Sequence, residues 1–156
     1  MDHILHGALG RGGRQVRATC WVGRSFFGGR CRLTTSRIVR TRAEFHRAVN
    51  DPIAGLLIRN RLGIDVFGTN TRIEQVPLGD FQTGDILELD FQFDCRLTRQ
   101  EYTLTVATQH ADGSSQDWLD DVVSFSVADS RDVAGVADLG VKIGIRRPNS
   151  GHSDGV

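Results

Sequence analysis

Asp117, Asp120 and Asp121 bring three carboxylates into one short stretch of the sequence. Carboxylates so placed suggest two chemistries. Hydrolysis of a glycosidic bond takes two opposed acids roughly 5–9.5 Å apart, and a calcium ion takes roughly six to eight oxygen ligands. The sequence supplies neither an opposing acid nor a signal that one of the three is held protonated, so they read as solvated acids at the start of a strand. The histidines, His3, His6, His46, His110 and His152, have no metal-ligand spacing, and no Cys-x-x-Cys occurs. Walker loop, dinucleotide fingerprint and nucleophile elbow are all missing. Gly10-Arg11-Gly12-Gly13-Arg14 and Gly28-Gly29-Arg30 have the composition of phosphate contacts, but no helix pattern follows them and they read as flexible chain. The expectation is a protein that binds rather than catalyses, with no cofactor and no metal.

A binding sheet accounts for more of the polar residues. Glu88, Asp90, Gln92 and Asp94 alternate with apolar residues and so share one face of a strand, while Gln109 and His110 end a strand expected to lie beside it. Carboxylates and amides exchange hydrogen bonds with hydroxyl groups, and Trp118 or Tyr102 offers a ring for the apolar face of a sugar. Gln92, Asp94, Gln109 and Trp118 are the candidate contacts, with replacement of Gln92 or Asp94 by Ala expected to weaken binding.

The elements that must hold these residues are strands. Leu87, Leu89, Phe91, Phe93, Cys95 and Leu97 alternate with polar residues, a period of two that a helix would scatter around its axis. Ile53–Ile58 and Ile64–Phe67 read as a hairpin about Arg59–Gly63. A bend or bulge is expected at Gly68–Thr71, and an edge strand at Ile73–Val76 before Pro77. Asp80–Asp85 is a turn cluster. Tyr102, Leu104, Val106 and Thr108 form the inward parity of a further strand, and Val123, Phe125 and Val127 that of the last clear one. Val136–Ile145 is a final strand or a tail. The pattern describes an all-β antiparallel sandwich or open barrel, with no crossover helices for a doubly wound fold.

Composition agrees with one soluble domain: 39% of the 156 residues are hydrophobic and 24% charged. No apolar run approaches the ~18 residues that cross a bilayer, and no signal or transit segment is read at the start. Cys20, Cys31 and Cys95 favour a reducing compartment, though one bridge, Cys20 to Cys31 most easily, is compatible with them. Net charge is zero but unevenly spread. Residues 1–50 hold ten Arg against Asp2 and Glu44, for +8, and the remainder holds nine basic against seventeen acidic residues, for −8. Such parts attract each other or different partners. The Arg-rich part lacks a nucleic-acid reading module, so neither nucleic-acid binding nor membrane insertion is expected. The division expected is an atypical basic segment over 1–48, partly disordered or contributing edge strands, a sandwich over 49–145, and a flexible tail over 146–156.

The stretch Gly55-Leu56-Leu57-Ile58-Arg59-Asn60-Arg61-Leu62-Gly63-Ile64-Asp65-Val66-Phe67-Gly68-Thr69-Asn70-Thr71 resembles the hallmark of the Wzt C-terminal domain, the carbohydrate-binding domain of O-antigen polysaccharide ABC exporters. Tyr102-Thr103-Leu104-Thr105-Val106 and Trp118-Leu119-Asp120-Asp121-Val122-Val123-Ser124-Phe125-Ser126-Val127 are similar to its closing strands, and the likeness spans about Asp51 to Gly135. The resemblance implies an immunoglobulin-like β-sandwich, commonly a homodimer. Such a domain recognises the modified end of a lipid-linked bacterial polysaccharide on the cytoplasmic side before export. Exporter subunits are the implied partners; related domains fused to glycosyltransferases or methyltransferases make a glycosyltransferase context the other one. The remaining alternative is a protein–protein interaction sandwich without glycan binding.

Three features depart from the family pattern. The sequence has no Walker A motif and so no ATPase of its own. Residues 1–48 carry Gly and Arg where the family alternates acidic and apolar residues, which is expected to remove early strands and leave apolar faces uncovered. Gln100-Glu101 stands where a Gly usually precedes the tyrosine strand.

Overall fold

A computed structural model describes residues 4–5, 16–22, 36–128 and 132–146; the account of 4–5, 16–22 and 36–37 is of their backbone alone. The Gly10–Arg14 and Gly28–Arg30 motifs, Cys31, His3, His6 and His152 lie outside the described residues, as does most of the expected C-terminal tail.

Among the described residues, eight strands form two four-stranded antiparallel sheets. β1 (Ile4–Leu5), β2 (Val16–Val22), β3 (Ser36–Phe45) and β6 (Ile86–Asp94) make the first, in the order β1-β2-β3-β6. β4 (Ile53–Asn60), β5 (Asp65–Asn70), β7 (Glu101–Gln109) and β8 (Ser115–Ser126) make the second, in the order β5-β4-β7-β8. The all-β sandwich expected from the alternating residues is what the chain forms.

Alternation explains which side of each strand turns inward. On β7, Tyr102, Leu104, Val106 and Thr108 are all buried, and on β8 Leu119, Val123 and Phe125 face them. Val39 of β3, Leu56 and Ile58 of β4, and Cys95, Leu97 and Val127 beyond the strand ends complete the main core. At about 1.5–3 kcal/mol for each large apolar side chain buried, this layer is the chief force holding the sheets face to face. A smaller cluster of Ala43, Phe45 and Val49 closes one end, where the Phe45 and Phe81 rings stack at 4.5 Å.

The first sheet shows what the uneven charge does. β3, expected to fall in a basic segment of edge strands at most, is an interior strand between β2 and β6. Val39, Ala43 and Phe45 point to the core, while Arg40 and Arg42 point outward onto acids of β6. Arg40 meets Asp90 at 2.6 Å and Arg42 meets Glu88 at 3.7 Å. The basic and acidic parts of the sequence are therefore stitched to each other across one sheet.

β6 and β7, expected to be neighbours, belong to different sheets: β6 pairs with β3, and β7 lies between β4 and β8. The chain crosses between sheets over Cys95–Gln100. Buried Tyr102 anchors that crossing, its hydroxyl donating to the Thr98 carbonyl at 2.9 Å, in the manner of a tyrosine corner.

The hairpin of β4 and β5 forms as expected, around a turn in which Gly63 takes a φ of 75° and the Asn60 side-chain oxygen accepts from the amides of Leu62 and Ile64, both at 3.0 Å. No bend occurs at Gly68; β5 runs straight through it to Asn70. The expected edge strand at Ile73–Val76 is instead a turn, because Asn70 heads it. Its side-chain oxygen accepts from Ile73 N at 2.8 Å, its carbonyl accepts from Glu74 N at 3.0 Å, and Val76 N closes onto Thr71 O at 2.8 Å. Beyond β8, Ala137 bridges to Leu97, and the chain then runs on without strand pairing to Arg146.

Candidate functional site

Two depressions on the described surface bear on binding, one on the second sheet and one between the sheets. The first is a trough of about 180 Å³ on the outer face of β5-β4-β7-β8. Its floor is made by small residues at outward positions on three adjacent strands: Gly68 on β5, Gly55 on β4, and Thr105 and Ala107 on β7. Gly55 is required by packing within the sheet. A Cβ there would come within 2.8 Å of the Thr69 carbonyl oxygen and 2.9 Å of the Asn70 Cβ. At Gly68 a Cβ would meet Leu57 Cδ1 at 2.9 Å. Strand-interior glycines mark close backbone approach, and here the same absence of side chains keeps the floor low.

Larger residues wall the trough: Trp118 on one side, Ile73 on the other, with Ile53 and Leu57 between and Asn70 and Gln109 as the amides. The Gln109 amide makes no hydrogen bond within the described residues and is available to a ligand. Among the described residues, no charged side chain lines the trough. Such a site suits a neutral ligand with both apolar faces and hydroxyl groups.

Trp118 is 40% exposed, and its ring is hydrogen-bonded within β8. The indole Nε1–H donates to Asp120 Oδ1 at 2.8 Å. The same oxygen accepts from Arg59 at 2.7 Å, and Arg59 donates in turn to Asp65 at 2.8 Å. The Arg59 guanidinium, and after it the indole N–H, hold the Asp120 carboxyl below the usual carboxylate range. This arrangement rests on a bulge in β8. Leu104 pairs with Val123 and Val106 with Leu119, so Thr105 faces the extra residues; Asp121 takes a φ of 50° and its amide donates to Thr105 Oγ1 at 3.1 Å.

Of the four residues singled out from sequence, Gln109 and Trp118 meet at this trough. Gln92 and Asp94 lie on β6 in the other sheet, Gln92 beside the second depression. They were grouped on the expectation that β6 and β7 adjoin, which the topology does not allow. The neighbouring acids of that face are engaged by β3: Asp90 takes a bidentate contact from Arg40, which lowers its pKa. Asn70, Ile73 and Leu57 escaped sequence reasoning. Their signal was the pair of glycines inside apolar strands, Gly55 and Gly68.

The second depression, about 380 Å³, opens between the sheets where the edge strands β5 and β6 face each other. Leu56, Phe67, Leu89, Phe91 and Phe93 line it, and the Phe67 and Phe93 rings stand 6.2 Å apart. It explains why the apolar face of β6 is only half-buried along its length.

Among the described residues, no group of three or more His, Cys, Asp or Glu side chains converges as a metal site. Asp117 turns to its neighbour's backbone, accepting from Trp118 N at 2.9 Å, and Asp120 turns to Arg59 and the indole.

A two-layer antiparallel sandwich with an uncharged trough on one outer face defines a β-sandwich domain. The Wzt C-terminal domain family matches residues 34–139, and the chain belongs to that family. Among solved structures, one described as the crystal structure of the C-terminal domain of wzt is similar with a TM-score of 0.75 and 17% identity, covering 93% of this chain and 89% of that one. Chicken MD-1 complexed with lipid IVa is a much weaker likeness, with a TM-score of 0.40 and 11% identity over 84% of this chain and 99% of that one. No match was found among curated proteins.

Proposed function

We propose that the chain binds the terminus of a lipid-linked bacterial polysaccharide of O-antigen type, without catalysis, in ABC-transporter-mediated export on the cytoplasmic side. Family membership supports the export context. The observation that carries the binding reading is the trough itself: an uncharged, small-residue floor with a hydrogen-bonded indole at one wall and an unengaged amide, Gln109, on the neighbouring strand. A sugar ring offers the complementary surface, a C–H face for Trp118 and hydroxyls for Gln109 and Asn70. Asp120 does not suit hydrolysis as a general acid. A general acid needs a raised pKa, and that of Asp120 is lowered by Arg59 and Trp118.

The partners proposed are exporter subunits or a glycosyltransferase, and a second copy of this chain. The segment after Asp138 favours the last. Leu139, Val141, Ile143 and Ile145 alternate with Gly140, Lys142 and Gly144, and all four are 65–87% exposed. The same segment favours the alternative of a protein–protein module that takes no glycan. Titration of the full chain with purified O-polysaccharides separates the readings. Saturable binding to one polysaccharide supports glycan recognition, and no binding to any of them alongside a stable protein complex favours the module.

A further inference from the structure

The indole of Trp118 is held edge-on by a carboxylate that belongs to no other part of the trough. Asp120 lies two residues along β8, on the bulge opposite Thr105, and its Oδ1 receives the indole Nε1–H at 2.8 Å and Arg59 at 2.7 Å. Two consequences follow from this geometry. The ring loses rotational freedom before any ligand arrives, so that entropy is not lost on binding. The indole N–H is also consumed, so Trp118 meets a ligand with carbon surface alone. We propose that Asp120 is a positioning and specificity-determining residue, locking Trp118 as a pre-formed wall that selects a sugar by its C–H face.

This rests on the trough being the glycan site, but the lock is observable without a glycan. In the ¹⁵N-labelled full chain, the Trp118 indole N–H resonance is assigned with Trp118→Phe. Asp120→Ala is expected to shift that resonance, speed its exchange with water and raise acrylamide quenching of Trp118 in a Trp21→Phe background. Asp120→Asn keeps an acceptor oxygen but loses the charge-assisted bond, so the resonance should move part of the way; if Asp120→Ala fails to fold, an unmoved resonance in Asp120→Asn overturns the lock. Affinity for the bound O-polysaccharide should fall about two- to tenfold with Asp120→Ala, and less with Asp120→Asn.

An unchanged resonance and unchanged quenching in folded Asp120→Ala overturn the lock. An altered ring with unchanged glycan affinity overturns its role in recognition. If the resonance moves as expected and the parent chain binds no O-polysaccharide, the lock stands and the glycan reading falls.

Discussion

The guanidinium of Arg40 lies against the carboxylate of Asp90 in two parallel hydrogen bonds of 2.6 and 2.7 Å, joining β3 to β6 on the outer face of the first sheet. The hydrogen bonds from Arg40, more than simple attraction, hold the Asp90 pKa below its ordinary value. A carboxylate whose pKa is lower in the folded than in the unfolded chain adds stability that is fully present above the unfolded value, about 3.9. That stability is lost as pH falls through the folded value. The difference in melting temperature between the parent chain and Asp90→Asn should therefore hold from neutral pH to about pH 4 and close below it. Both side chains are largely exposed, so the difference is expected to be small and to shrink with added salt. A difference that persists at the lowest pH would show that Asn acts through packing.

Gly55 sits where β5 backbone lies close against β4. Because a Cβ would meet backbone, the Thr69 carbonyl oxygen at 2.8 Å, the strands must part to accept it. Gly55→Ala should cost about 1–3 kcal/mol in denaturant unfolding, the usual range for overpacking. It should also raise the trough floor. A neutral Gly55→Ala would mean that the edge strand β5 yields freely.

Much of the second sheet was legible because β4 and β7 bury one face completely. Tyr102, Leu104, Val106 and Thr108 alternate without interruption, and the structure buries every one of them. β3 was obscured for a physical reason. Its inward row of Val39, Thr41, Ala43 and Phe45 is period two, but small and polar members dilute it, and Arg40 and Arg42 break the apolar run that a strand search follows. Those arginines make sense only once β6 lies alongside with Glu88 and Asp90, a long-range fact that spacing along the chain does not carry. Strand order was likewise out of reach, and with it half of the candidate site. Gln109 and Trp118 come together because β7 and β8 are consecutive and pair as a hairpin. Gln92 and Asp94 were joined to them through a neighbour relation that the Cys95–Gln100 crossing breaks.

That crossing depends on Tyr102. Its hydroxyl is buried and bonds Thr98 O at 2.9 Å, while its ring stacks on Phe125 at 5.6 Å. Tyr102→Phe keeps the ring and removes the bond. The expected cost is about 1–3 kcal/mol, because a buried acceptor loses its donor. Urea unfolding reads this directly, and a loss well below that range would place the stability of the crossing in the ring packing alone.

Thr108 presents the opposite case. Its side chain is on the core face of β7, and its hydroxyl has no hydrogen-bond partner among the described residues. Thr108→Val removes a buried polar group while keeping the branched shape, so stability should stay level or rise by up to about 1 kcal/mol. Leu104→Ala on the same face should cost about 2–5 kcal/mol. Comparing the two by thermal unfolding separates shape from polarity, and a clear loss in Thr108→Val would mean that the hydroxyl is satisfied by solvent in solution.

The two sheets offer a direct contest over where a glycan sits. Trp118 and Gln109 face the trough on the second sheet; Gln92 and Asp94 belong to β6 on the first. A ligand spanning both would have to wrap around an edge of the sandwich. Trp118→Ala should therefore weaken binding of the recognised polysaccharide about tenfold, near the upper range for a single aromatic contact. Gln109→Ala should weaken it less, as loss of one neutral hydrogen bond does. Gln92→Ala and Asp94→Ala should leave affinity unchanged. Isothermal titration of the four variants against one polysaccharide decides the matter. Loss of binding with Gln92→Ala or Asp94→Ala, and none with Trp118→Ala, would move the site to β6 and the slot beside it.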